Sequence, residues 1–406
     1  MKGLRAALIS QGVASGGQFL VTLVLVRTLG LSDFGVLAAV LILAGYGAGL
    51  VQAVCAQPFL SLPPGKGLGR ASLALGLVIG GAAGLIASAL AHAFGSSAYG
   101  LSAPLAGGLV AARSLVPMAR AFAHSDGRVR SLVAVDSIGA FGALGLLLVQ
   151  GAEVGIAGAA AALATASGAA CALGLLSCPL PRPDGPLAEP VKRLWRSGRW
   201  LALNQVFSWM GTGGVHGAVL LHLGPTAVGA LRLAQTVVGL PLAALQALDL
   251  ALPKAARAAL NRGQLGGWVR RVSLGALGFF GLFGAALTLT AGWLVDGILR
   301  PQAGGPLAVE ALAWLAFLPA IAALTGVQHV GFRAREDTRS IFVSYAASSV
   351  VVGLCAGFLV PSFGIAGAAA GLLGGQALFA AGLCVLWRGR EKRLVGDQDG
   401  LRQKLV

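Results

Sequence analysis

The seven-residue segment GIAGAAA occurs twice in the chain, at Gly155–Ala161 and again at Gly364–Ala370. An Arg-Ser pair precedes each copy at the same distance, Arg130-Ser131 in the first case and Arg339-Ser340 in the second. The chain is rich in glycine and alanine, so one match alone carries little weight. The conserved flank favours a true internal repeat.

A second repeat lies nearer the start of each half. Leu29-Gly30 and Phe34-Gly35 correspond to Leu223-Gly224 and Val228-Gly229, and at the same spacing Gln11 corresponds to Gln205. Matches near both ends of each half predict one unit that was duplicated and fused. Fused halves with a path between them are typical of membrane transporters.

The composition places this repeat in a membrane. Apolar residues make up 56% of the 406 residues and charged residues only 11%, whereas a soluble protein carries about 25% charged residues. We therefore predict an all-α polytopic membrane protein. The five cysteines lie in or beside apolar stretches and show no metal-type spacing, so we expect neither a metal nor a cofactor.

Twelve apolar segments are long enough to span a bilayer. Six fall in each half, so the fold expected is about 12 transmembrane helices in two six-helix lobes related by duplication. The predicted spans are 6–26, 34–57, 71–94, 101–121, 131–150, 155–177, 200–222, 227–250, 272–295, 307–331, 340–360 and 364–387.

The basic residues predict the orientation. With the N-terminus inside, every lysine and arginine falls on the inner side except Arg27 and Arg300 outside and Arg113 and Arg232 within spans. The positive-inside rule then predicts a multi-pass membrane protein with both termini cytoplasmic. It also explains the net charge of +16 without nucleic acid, because basic loops contact anionic membrane lipids.

These spans divide the chain into four parts. We predict a first six-helix lobe at 1–177, a proline-rich cytoplasmic linker at 178–199, a second lobe at 200–387 and a basic cytoplasmic tail at 388–406. Within the linker, the segment VKRLWRSGRW is typical of a basic helix at the membrane surface.

The segment Arg27–Gly35, RTLGLSDFG, resembles the turn between the first two helices of the Wzx-type polysaccharide flippases of the MATE-like superfamily. The twelve spans, short loops and fused halves are similar to that family over essentially the whole chain. The resemblance implies a monomeric transporter, not an enzyme. It would move an undecaprenyl-diphosphate-linked oligosaccharide to the periplasmic leaflet of a bacterial inner membrane by alternating access.

Charges within spans are the best candidates for function, because each costs a few kcal/mol at the bilayer centre. Arginine binds phosphate in a bidentate manner, so Arg113 and Arg232 are candidate ligands for a lipid diphosphate. Asp136 on the next helix is a candidate partner for Arg113. The polar residues Gln11, Gln205 and His216 are further candidate substrate ligands. Asp136 and Asp249 are candidate sites for a coupling proton or sodium ion, although helix-end solvation or pairing with an arginine also explains them.

Two other functions fit a polytopic chain. A multidrug or cation antiporter of the same superfamily would need acidic residues in its cavity, and the deepest charge here is Arg113. A membrane enzyme of glycan assembly would need a large loop or paired carboxylates, and the sequence offers neither.

Overall fold

A computed structural model of the protein describes residues 2–62, 67–93, 100–125, 129–151, 154–177, 187–299, 304–335 and 337–403. Throughout these residues the chain is helical or turns between helices. The prediction of an all-α membrane protein is confirmed.

Fourteen α-helices are described in these ranges. They are α1 Lys2–Val51, α2 Gln57–Ser61, α3 Leu68–Ala93, α4 Ala103–Ser125, α5 Val129–Ser137, α6 Ala143–Gln150, α7 Ile156–Leu176, α8 Ala188–Ser208, α9 Gly214–Leu223, α10 Pro225–Asn261, α11 Leu265–Leu299, α12 Gly305–Leu315, α13 Leu318–Ala334 and α14 Thr338–Gln403. Five-residue π-helical turns join α1 to α2, α5 to α6 and α8 to α9. Each interrupts a span without breaking it.

Glycines divide the two longest helices into separate spans. At 1.5 Å per residue, the 50 residues of α1 would measure roughly 75 Å, far more than the ~30 Å hydrocarbon core of a bilayer. Gly30 interrupts α1 with φ 73° and ψ 170°, and Gly364 interrupts α14 with φ 60° and ψ −138°. These dihedrals are open to glycine and strained for other residues.

The repeat-related turns share one backbone conformation. Gly224, between α9 and α10, has φ 79° and ψ −179°, close to the values of Gly30. The two GIAGAAA segments likewise both begin at a turn, since Gly155 precedes α7 and Gly364 lies at the kink of α14. We call the end of the bundle that carries these turns the Gly30 face, and the opposite end the basic face.

Seven described segments are long and apolar enough to cross a membrane, and two of these, Gly12–Ser61 and Arg339–Arg388, are 50 residues long and contain the kinks. The segments that fall short of this measure are α4, α8 with α9, and α10. Two of them hold the intramembrane arginines. With each kinked segment counted as two spans, the described helices account for the twelve that the sequence predicts.

The predicted linker at 178–199 differs from the structure. Helix α8 begins at Ala188 and continues into the seventh span, so the segment VKRLWRSGRW is the first part of a spanning helix and not a separate surface helix. Packing explains the difference: Leu194 is buried against Leu68 and Ala71, and Gly198 closely approaches the backbone of Ala53. Residues 178–186 lie outside the described residues.

The two halves meet at the Gly30 face in a reciprocal contact. Gly35 of α1 packs against the carbonyl oxygen of Pro225, and Gly229 of α10 packs against the carbonyl oxygen of Leu31. Gly35 corresponds to Gly229 in the repeat, and Leu31 corresponds to Pro225. The two contacts are therefore equivalent, because each glycine packs against the residue four positions before the matching glycine of the other half. We call this contact the glycine seam. It holds the two halves together at this end.

Candidate functional site

Two arginines from opposite halves of the chain interact electrostatically inside the bundle. Arg113 lies near the centre of α4, and Arg232 lies in the first third of α10. Their charges interact with each other, and both side chains are deep in the protein while retaining accessible surface. Neither side chain is fully enclosed by protein. We call this pair the arginine pair.

An amide holds Arg113 in place. Its Nη2 donates a hydrogen bond of 3.0 Å to Oε1 of Gln18 on α1. Asp136, the expected partner, instead forms an ion pair with Arg120, with 3.0 Å between Oδ1 and Nε. The ion pair recorded for Asp136 is therefore with Arg120 and not with Arg113. Arg120 lies two turns further along α4, nearer the basic face, and is the arginine within reach of α5.

A polar cluster from the second half surrounds Arg232. His216 of α9 contacts the carbonyl oxygen of Thr212 through Nδ1 at 2.7 Å and Oε1 of Gln235 through Nε2 at 3.1 Å. Thr212 belongs to the π-helical turn Trp209–Gly213, and Gln235 lies one turn after Arg232 on α10. π-Helical turns often occur at functional sites, and this one carries the Thr212 carbonyl that contacts His216.

Aromatic and amide side chains bridge the two halves beside the arginine pair. The ring of Tyr46 on α1 lies 5.3 Å from that of Trp209 and sits over Gly213, where a Cβ atom would meet its hydroxyl at 2.7 Å. The Tyr46 hydroxyl faces Thr212 and interacts with Arg232. One turn further along α1, the amide of Gln205 packs directly over Gly49.

Among the described side chains, no carboxylate forms an ion pair with either member of the arginine pair. The side chain of Asp249 lies outside the described set, but its position on α10 is roughly 25 Å along the helix axis from Arg232. Each uncompensated cation costs about 3 kcal/mol at the centre of a membrane, and mutual repulsion adds to that cost. An anion bound between the two guanidinium groups would offset both costs.

The structure brings together three of the residues that the sequence singles out for substrate, namely Arg113, Arg232 and His216. Gln205 lies nearby, at the contact between the halves. The side chain of Gln11 lies outside the described set, as does that of Asp249.

Sequence reasoning missed other members of the site: Gln18, Tyr46, Trp209, Thr212 and Gln235. An amide within an apolar span was the available signal for Gln18 and Gln235.

An apolar cavity of about 430 Å³ adjoins this polar site. It lies between α1 and α3 of the first half and α9 and the start of α10 in the second. Tyr46 and His216 line it at the end nearest the arginine pair, and the remaining lining is aliphatic or glycine. We call this cavity the lateral slot.

Solved transporter structures share this fold. An inward-facing multidrug resistance MATE family transporter of the MOP superfamily aligns with a TM-score of 0.67 at 15% identity, covering 97% of this chain and 96% of that one. The lipid II flippase MurJ in an inward closed conformation aligns with a TM-score of 0.69 at 10% identity, covering 94% and 86%.

A third structure is similar over the same length. A MOP superfamily transporter from Pyrococcus furiosus, described as having a binding pocket of reverse polarity that suggests a different function, aligns with a TM-score of 0.56 at 13% identity, covering 96% and 95%. No protein-family model and no curated protein matches the chain. At these identities the likeness shows a shared fold.

Proposed function

We propose that the protein is a membrane transporter that flips an undecaprenyl-diphosphate-linked oligosaccharide from the cytoplasmic to the periplasmic leaflet of a bacterial inner membrane. The observation that carries this proposal is the arginine pair: two cations from opposite halves interact with each other and have no described carboxylate as an ion-pair partner. A diphosphate matches two guanidinium groups in charge and in hydrogen-bond geometry.

The neighbouring side chains suit the rest of such a substrate. Tyr46 and Trp209 offer aromatic faces to sugar rings, and the amides of Gln18 and Gln235 offer donors and acceptors to sugar hydroxyls. The fold is shared with MurJ, described as a lipid II flippase, which supports the same class of cargo. The positive-inside rule supports a cytoplasmic position for the basic face and a periplasmic one for the Gly30 face.

A multidrug antiporter is the alternative that the fold also supports, because MATE transporters share it. The charge of the site separates the two proposals. An organic cation needs an acidic or aromatic site free of fixed cations, and both guanidinium groups would repel it. The pairing of Asp136 with Arg120 supports a structural role for that carboxylate, whereas Asp249 stays a candidate coupling site.

Binding to the purified protein distinguishes these functions. We expect undecaprenyl diphosphate to bind and the cation tetraphenylphosphonium not to bind. A charge-assisted hydrogen bond contributes roughly 1.5–3 kcal/mol, so Arg113→Gln or Arg232→Gln should each weaken diphosphate binding by roughly tenfold to a hundredfold. Arg113→Lys should recover only part of the affinity, because a point charge replaces a planar fork.

Arg196→Gln is the matched control, because Arg196 is exposed on α8, away from the site. It should bind undecaprenyl diphosphate as the wild type does. Tight binding of tetraphenylphosphonium with no binding of the diphosphate would support the antiporter and refute the flippase.

A further inference from the structure

We propose that the lateral slot is a second subsite of the same transporter, which holds the head-proximal part of the substrate's polyprenyl chain while its diphosphate occupies the arginine pair. This inference rests on the proposed function and adds to it a place for the lipid half of the substrate. It is carried by the shape, lining and position of the slot.

The lining is suited to hydrocarbon. Apart from Tyr46 and His216, the slot is walled by alanine, valine, leucine, isoleucine, proline and glycine side chains. Its volume of about 430 Å³ falls within the range of about 300–1,000 Å³ typical of small-molecule sites. An oligosaccharide would leave its hydroxyls without partners here, at a cost of about 1–3 kcal/mol each.

The slot connects the polar site to the lipid. Its inner end is formed by Tyr46 and His216, the residues that contact the polar cluster around Arg232. Its outer end includes Leu90 and Leu221, which are 36% and 68% exposed. Both leucines lie near the Gly30 ends of their helices. A ligand with a charged head and an apolar tail therefore fits the two sites together.

Geometry explains why the tail needs such a path. A lipid of the cytoplasmic leaflet has its head at the basic face and its tail toward the bilayer centre. When the diphosphate reaches the arginine pair at mid-depth, the tail must continue toward the Gly30 face or bend back. The glycine seam closes the bundle at that face, and Pro225 and Val228 beside it cap the slot. The slot leads the polyprenyl chain sideways toward the lipid, on the side of the glycine seam that faces the bilayer centre.

Gly217 offers a clean way to fill the slot. It lines the slot on α9, and no atom lies within 4 Å of the place where its Cβ would be. Gly217→Phe therefore adds a bulky side chain to the slot lining at a position whose Cβ meets no protein atom. Gly81→Phe is the matched control, because Gly81 on α3 is exposed, has equally open space and does not line the slot. Ala39→Trp, also in the slot lining, is a second filling variant should Gly217→Phe fail to fold.

The test compares three lipids on the purified full-length protein in nanodiscs. Undecaprenyl diphosphate carries the head and the long tail, farnesyl diphosphate carries the same head with a short tail, and phosphatidylglycerol is an ordinary anionic bilayer lipid. We expect Gly217→Phe to weaken binding of undecaprenyl diphosphate by about tenfold or more, since several methylene groups lose their site. Binding of farnesyl diphosphate should fall by less than threefold, and Gly81→Phe should resemble the wild type with every probe.

Three results would overturn the inference. Unchanged binding of undecaprenyl diphosphate in Gly217→Phe and Ala39→Trp would show that the tail lies elsewhere. Equal losses with both diphosphates would show a general effect on the head site. An equal loss with phosphatidylglycerol would make the slot a site for bilayer lipid. If the wild type binds neither diphosphate, the proposed function fails as well, and that outcome is distinct from the other three.

Discussion

The glycine seam leads to a prediction in which the same substitution, glycine to alanine, has opposite effects at two positions of one helix, Gly35 and Gly45. A methyl group added at Gly35 would overlap the carbonyl oxygen of Pro225. That neighbour is backbone of the facing helix, so no side chain can rotate away and the two helices must separate. Gly45, on the same helix, is exposed and has no atom within 4 Å of its Cβ position.

The expected magnitudes follow from these surroundings. Overpacking costs roughly 1–3 kcal/mol, and in Gly35→Ala this cost falls only on the arrangement in which the seam is closed. The closed state should therefore lose roughly 5- to 150-fold in population relative to an open one. Gly45→Ala should instead stabilise the protein by roughly 0.5–1 kcal/mol, because alanine is the better helix former. Gly229→Ala should behave like Gly35→Ala, since it meets Leu31 in the reciprocal contact.

Spin labels on cysteines introduced at the exposed positions Ser32 and Asp296, in a background without the native cysteines, would report the separation of the halves. These positions flank the Gly30 face, where Nη2 of Arg27 donates a 2.9 Å hydrogen bond to the carbonyl oxygen of Gly297. Double electron–electron resonance should show a longer distance population in Gly35→Ala and Gly229→Ala. The reasoning fails if Gly35→Ala matches Gly45→Ala in both distance distribution and thermal stability.

Two further predictions test the orientation and the acidic residue of the first half. Reporter fusions after Gln150 should read periplasmic and a fusion after Arg262 cytoplasmic; a reversed signal at either point would contradict the six-plus-six topology. Asp136→Asn should lower the free energy of unfolding by about 1 kcal/mol, because Arg120 loses a buried partner but is itself 37% exposed and partly screened. Transport should persist in this variant, and loss of transport at unchanged stability would instead favour a coupling role.

Much of the fold could be predicted from the sequence, because hydrophobic length and basic loops are strong signals in membrane proteins. The turn at Gly30 and its counterpart at Gly224 follow from the Leu-Gly motif. The start of α8 did not follow. Proline and charge around residues 178–199 are typical of a linker, whereas contacts of Leu194 with the first half extend the helix to Ala188.

The site was predictable in its two arginines and in His216, but not in how they come together. Arg113 and Arg232 are conspicuous in apolar spans because charge is costly there. Nothing in their sequence positions places two residues of separate halves within electrostatic range, since that depends on how α4 and α10 each pack against α1. Tyr46 and Thr212 carry no such signal: both residue types are common in spans, and their role depends on the neighbours that tertiary packing gives them.

The measurement closest to the central claim is leaflet exchange of a fluorescent undecaprenyl-diphosphate-linked saccharide in proteoliposomes, followed by quenching from the outer side. We predict that the wild type equilibrates the lipid between the leaflets and that Arg196→Gln does so at the same rate. With the double variant Arg113→Gln/Arg232→Gln, the lipid should exchange between leaflets no faster than in protein-free vesicles. Equal exchange by the wild type and the double variant, or no exchange by the wild type, would contradict the assignment of the arginine pair as the diphosphate site of a flippase.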